Sequence, residues 1–196
     1  MEAACQLGVV LASVREGRRG EAFANWILSL IEARPDARAE LLDLKEWALP
    51  HYSHRETPVV AEKSYEAESL AGRWRDKIAS LEGFVVVTPE YNHGYPSSLK
   101  GALDHVYLPW NQKPIAFVSY GGFAAGARSV EQLRLVATEL RMVPIRDEVN
   151  VRLVGFVADE HGWPKEELYA KKARTMLDDL VWWAKVTRDG RDRYRR

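Results

Sequence analysis

Cysteine is nearly absent from this chain: Cys5 is the one thiol among 196 residues. A single thiol cannot close an internal disulfide, which excludes a stapled secreted scaffold and fits a reducing, cytoplasmic setting. Cys5 lies inside an apolar run and reads as a buried strand residue. An excess of either charge is absent too, with 28 Lys and Arg against 28 Asp and Glu. That balance gives no global footprint for nucleic acid or an anionic membrane. The basic stretch 188–196 is broken by Asp189 and Asp192 and reads as a disordered tail behind one domain over 1–187. No apolar run approaches the roughly 20 residues of a membrane span, and the opening residues lack the basic n-region of a signal peptide. Internal repeats and low-complexity stretches are missing as well.

What is present is ordinary for a soluble globular chain: 46% apolar and 29% charged residues, in a length that buries a five-strand core unaided. Short apolar runs read as strands covered on both faces: CQLGVVL from Cys5, FVVVT from Phe84 and IAFVS from Ile115. A second strand is expected over 40–44 and a fifth over 143–153. Helical spacing recurs between them: Ala22, Phe23, Trp26, Ile27, Leu30 and Ile31, then 64–81, a helix with Leu99, Leu103 and Val106, 127–140, and a last helix opened by Pro164. Residues 45–63 read as a long loop. Strands alternating with helices call for a parallel sheet with helices on both faces, whose right-handed crossovers gather all strand carboxyl ends on one edge. Ligands of such sheets bind at that edge. The loops after the first, third and fourth strands are therefore the ones to inspect.

The first loop, ASVREGRRG over 12–20, leads into a helix, where unpaired N–H groups favour a phosphate. Ser13 offers a hydroxyl, Arg15 and Arg18 offer charge-assisted contacts, and Gly17 and Gly20 let backbone approach an anion. Its spacing matches neither a Walker A loop nor the dinucleotide glycine pattern, so a solvated loop fits these residues equally well. The second loop, Pro89-Glu90-Tyr91-Asn92 and onward to Asp104, is stiffened by Pro89, Gly94 and Pro96; its amide and aromatic rings suit a planar heterocycle. The third contains Ser119-Tyr120-Gly121-Gly122.

The stretch PEYNHGYPSSLKGALDH resembles the signature of the NADPH-dependent FMN reductase family through Pro89, Glu90, Tyr91, Asn92, Pro96, Leu99, Lys100 and Asp104. Ser13 and Arg15 match that family's first-loop pattern, with Ala12 in place of its usual glycine and Arg18 in place of its second serine. Ser119 to Gly122 resemble its third loop. The resemblance implies a flavodoxin-like three-layer α/β/α sandwich, its five parallel strands ordered 2-1-3-4-5. It implies bound FMN, with phosphate on Ser13, Arg15, Arg18 and Gly20, and the ring against Pro89, Glu90, Tyr91, Asn92, Ser119, Tyr120, Gly121 and Gly122. It further implies hydride transfer from NADPH (or NADH), onward transfer to a small-molecule acceptor such as a quinone, free flavin, azo dye or metal ion, and a homodimer or homotetramer. No catalytic side chain is implied, because the flavin carries the chemistry.

The alternatives are a flavodoxin-type electron carrier, whose usual strong acidity is missing here, and a redox-responsive interaction protein. His51 and His54 have ligand-like spacing without a completing cluster, so no metal site is expected. His93 lies within the signature and could approach substrate. Trp182 and Trp183 are expected to pack the last helix on the sheet, and Trp47, Tyr52, Tyr107 and Trp110 to bury in a subunit interface.

Overall fold

The computed structural model describes residues 3–194. Five strands, β1 (Cys5–Leu11), β2 (Ala37–Asp43), β3 (Gly83–Pro89), β4 (Pro114–Gly121) and β5 (Val143–Arg152), form one sheet in the order β2-β1-β3-β4-β5. Every pairing is parallel. The three inner strands are almost wholly buried, which is why their sequences run apolar without alternation, whereas the edge strands β2 and β5 mix buried and exposed positions.

Alternate side chains of the inner strands feed two cores. Leu7, Val9, Val85 and Val87 meet Phe23, Trp26 and Ile27 of α1 (Gly20–Glu32) and Met176, Leu177 and Leu180 of α7 (Glu167–Arg193). On the opposite face Val10, Phe84, Val86 and Phe117 meet Trp74 and Ile78 of α4 (Leu70–Ser80), Leu99 and Leu103 of α5 (Ser97–Asp104), and Val130 and Leu133 of α6 (Ala127–Glu139). This is the flavodoxin-like order and layering that the loop signature implied.

Several boundaries differ from expectation for identifiable reasons. The second strand starts at Ala37, since β2 pairs with β1 from Cys5 onward. The long loop holds two single-turn helices, α2 (Leu44–Trp47), whose first turn receives a cap from Asp43, and α3 (Pro58–Ala61), which Pro58 opens. The helix expected over 64–81 begins at Leu70, capped by Ser69. The chain doubles back there, so a Cβ on Gly72 would lie 1.9 Å from the Glu66 carbonyl oxygen. The last helix starts at Glu167 because Pro164 is taken up in a bridge to Ala158.

The basic tail is helical through Arg193, with Arg188 on Glu82 and Arg191 on the Gln112 carbonyl; Arg195 and Arg196 lie outside the described residues. Trp110 belongs to the core against Phe84 and Trp74 and is not spare for an interface, whereas Trp47 packs edge-on to Trp74 and stays half-buried. Trp183 packs on the sheet, but Trp182 turns outward. No helix among the described residues is long and apolar enough to cross a membrane.

Candidate functional site

Because all strands run one way, residues 12–19, 90–96 and 122–126 emerge side by side from the carboxyl edge of β1, β3 and β4. The first loop leaves the sheet one residue late: the Ala12 amide still donates to Val87, and Ser98 of α5 donates to the Ala12 carbonyl at 2.7 Å. Ala12's methyl is packed into the α4–α5 core, so the departure from glycine is absorbed by packing and does not obstruct the loop's outer face. Ser13 is closed to solvent, and its hydroxyl is hydrogen-bonded to that of Tyr91 at 2.8 Å. Beyond it the chain turns outward through Gly17 at φ +63°, where a Cβ would meet nothing within 4 Å. The Val14, Glu16 and Gly17 amides donate to no other described residue. Arg15 is exposed, its guanidinium 5.8 Å from the Tyr91 ring centre.

Arg18, expected on a phosphate, turns inward. Its guanidinium donates to both Asp43 carboxylate oxygens and, at 2.8 Å, to the Ser13 carbonyl. The two side chains are only 8% and 7% exposed, and the hydrogen bond to Asp43 holds the guanidinium charged beyond its ordinary range. Arg18 thus shapes the loop from behind. Gly20 is likewise a packing position: a Cβ there would lie 2.6 Å from the Tyr120 hydroxyl. Tyr120, expected near a ring, runs beneath the first loop and packs on Phe23 at 5.2 Å. Burial raises its phenol well above the usual range, with Ser13 and the Gly20 amide offsetting part of that.

The second loop closes on itself. Tyr91 and Gly94 exchange two backbone hydrogen bonds, of 2.8 and 3.0 Å, and Asn92 and His93 take φ of +51° and +70°. Two successive left-handed residues define a type I′ turn, in a backbone region where asparagine and histidine are both enriched among non-glycine residues. The first turns of α6 hold it. Ser129 donates to the Pro89 and Gly94 carbonyls, Gln132 donates to the His93 carbonyl at 2.9 Å, and Arg128 donates to His93 Nε2 at 2.8 Å. Arg128 also pairs with Glu90, whose carboxylate is buried with its Oε2 unpartnered among the described residues. Glu90 therefore points at α6, leaving its backbone on the rim.

In the third loop Ser119 is buried, donating to the Ala125 carbonyl and accepting from Asn150. Gly126, at φ +87°, fits where a Cβ would lie 2.6 Å from that of Ser119. Gly121 accepts from the Leu153 amide, and Gly122 faces open space, as does the 83% exposed Phe123.

The sequence-predicted residues thus meet in one place but divide by task. Arg15, Tyr91, Asn92, Gly122 and the first-loop amides face outward; Ser13, Arg18, Gly20, Pro89, Glu90, Ser119, Tyr120 and Gly121 build the frame. Asp43, Ser98, Arg128, Ser129, Gln132 and Asn150 were not anticipated. Asp43 alone carried a local signal, as an acidic residue just before a short helix. Free amides with an arginine at one end, and an aromatic turn beside an unencumbered glycine at the other, fit a ligand with an anionic tail and a flat head.

Known proteins resemble this chain in sequence and fold. The family model described as NADPH-dependent FMN reductase matches residues 5–154. An NAD(P)H-dependent FMN reductase of Schizosaccharomyces pombe is 40% identical over 134 residues, 68% of this chain and 66% of that protein. A 2-hydroxy-1,4-benzoquinone reductase of a Burkholderia species is 28% identical over 94% of this chain and 99% of its own. The solved structure of FerB, a flavoenzyme NAD(P)H:(acceptor) oxidoreductase from Paracoccus denitrificans, superposes with a TM-score of 0.76 at 22% identity, covering 94% of this chain and 99% of that one.

Proposed function

The chain belongs to the NADPH-dependent FMN reductase family and is an FMN-dependent NAD(P)H oxidoreductase; from that premise we propose that the rim holds FMN along its length and passes electrons to a small quinone. The observation that supports this placement best is the 2.8 Å hydrogen bond between Ser13 and Tyr91, which makes the anion loop and the aromatic turn one continuous surface. When bound, the FMN supplies the redox chemistry, hydride in from NADPH and electrons out to the acceptor.

The chain's residues do the rest. Arg15 and the Val14, Glu16 and Gly17 amides bind the phosphate, and the Arg18–Asp43 pair keeps those donors aimed outward. The type I′ turn presents the Tyr91 ring and the Asn92 amide to the flat head, and α6 prevents the turn from unwinding. The Gly122 amide would offer the flat head a backbone donor that needs no side-chain reorganisation. No side chain is assigned as acid or base: Tyr120 is buried and its phenol is raised away from use. Assembly into a homodimer or homotetramer belongs to the same proposal, and light scattering measures it.

An absorbance scan of the protein purified without added flavin, followed by anaerobic mixing with NADPH in a stopped-flow instrument, tests the reading. A yellow protein that bleaches within a second and is reoxidised by a benzoquinone is the expected result. A colourless protein that takes up no FMN at micromolar concentration overturns it.

A further inference from the structure

A cavity of about 340 Å³ lies between α2 and α5, beside the first loop. Leu44, Leu49 and Val14 give it an apolar lining, and because Val14 also belongs to the anion loop, the cavity adjoins the proposed phosphate site. Gly101 of α5 keeps it open: a Cβ there would meet nothing within 4 Å. Its size and lining suit one flat ring system, with polar groups fixing orientation.

Those polar groups are cationic or donors. Lys45 and His51 stand exposed at the mouth. The Lys45 ammonium has no hydrogen-bond or carboxylate partner among the described residues, whereas Arg18, just behind it, is spent on Asp43. Ser97 adds a hydroxyl, and the Ser97 and Ser98 amides open α5 without backbone partners. A quinone offers a ring but no anion for such a mouth. Of the reactants in the proposed reaction, the pyridine nucleotide alone brings a purine and phosphates at a distance from its reacting ring.

We propose that this cavity takes the adenosine end of NADPH and that Lys45 reads its 2′-phosphate, making Lys45 a specificity-determining residue outside the three loops. The inference rests on the reductase reading, which supplies NADPH as the reactant.

Calorimetric titration of the FMN-loaded protein with adenosine 2′,5′-bisphosphate and with 5′-AMP tests it without turnover. The bisphosphate is expected to bind at least tenfold tighter than 5′-AMP, Lys45→Gln to abolish that difference, and Gly101→Leu to weaken both ligands more than tenfold. Leucine at position 101 enters open space on a helix, so this variant is expected to fold. In steady state, Lys45→Gln is expected to lower kcat/KM for NADPH about tenfold more than for NADH. Equal affinity for the two nucleotides, a preference that survives Lys45→Gln, or a Gly101→Leu variant that loses FMN itself overturns the assignment. Failure of wild-type protein to be bleached by N-benzyl-1,4-dihydronicotinamide, a hydride donor without adenosine, counts against the reductase reading instead, and the titration still decides this one.

Discussion

Replacing Arg18 with methionine separates a residue that shapes the anion loop from one that touches the anion. The guanidinium and the Asp43 carboxylate are about 92% and 93% withdrawn from solvent, and two donors pass from one to the other. Removing one partner of such a buried pair leaves the other charge unmatched, at a cost of about 3–5 kcal/mol. Asp43 keeps one further donor, the Lys45 amide at 2.9 Å, which places the expected loss near the lower bound, about 3 kcal/mol. The Ser13 carbonyl also loses its donor. Urea unfolding of the FMN-free protein measures this loss, and Arg18→Met/Asp43→Leu should recover most of it by removing both charges together. FMN and riboflavin titrations then divide shaping from contact. Since Arg18 faces Asp43, and methionine with leucine refills the space behind the loop so that it keeps its shape, the ratio of FMN to riboflavin affinity in the double variant is expected to stay within about threefold of wild type. A stable Arg18→Met protein that binds riboflavin normally but FMN tenfold more weakly would refute the reasoning, because Arg18 would then be a phosphate ligand.

Other perturbations test neighbouring parts of the same frame. Arg15→Gln should lower FMN affinity roughly tenfold while leaving riboflavin unaffected, and the defect should shrink as salt is raised, read by flavin fluorescence titration. Gly20→Ala forces a methyl against the Tyr120 hydroxyl and Leu11 Cδ1 and should cost about 1–3 kcal/mol in urea unfolding; Tyr120→Phe, which removes the nearer contact, should restore part of that loss, and no recovery would refute the clash with the hydroxyl. Lys113, 5% exposed, donates to the Ile78 and Ala79 carbonyls at the end of α4; burial first, and then the Arg191 charge, lowers it from 10.5 to about 7, with Glu82 opposing. Between about pH 7 and 10.5 the unfolded chain binds the proton that the folded one has released, so this group makes stability rise with pH across that window and adds no slope below it. The effect is at most about 5 kcal/mol at 1.36 kcal/mol per pH unit, and Lys113→Met should flatten the difference between unfolding at pH 7 and pH 9.5; parallel profiles would sink the assignment.

Strands and loops were legible because their signals are local. Three largely apolar runs mark the covered strands, and the proline–tyrosine–asparagine stretch marks the turn. What the chain hid was which way side chains point. Arg18 reads as an anion ligand until Asp43, 25 residues away in sequence, is brought alongside by the β1–β2 pairing. Tyr120 reads as a ring contact until β4 directs it under α1. The α6 clamp had no signature at all, because Arg128, Ser129 and Gln132 resemble any polar helix face until that helix lies over the turn. The missed boundary at Leu70 has the same origin, since the demand on Gly72 comes from a chain reversal that periodicity does not register.

The long final helix ties down the rim opposite the three loops. Through Arg188 on Glu82 and Arg191 on the Gln112 carbonyl it straps the segments where β3 and β4 begin, a sheet's length away from the three loops. Reinforcing those straps is expected to yield a hardier catalyst with electron transfer undisturbed, whereas changes to the opposite rim, where we place the flavin, are expected to alter both together.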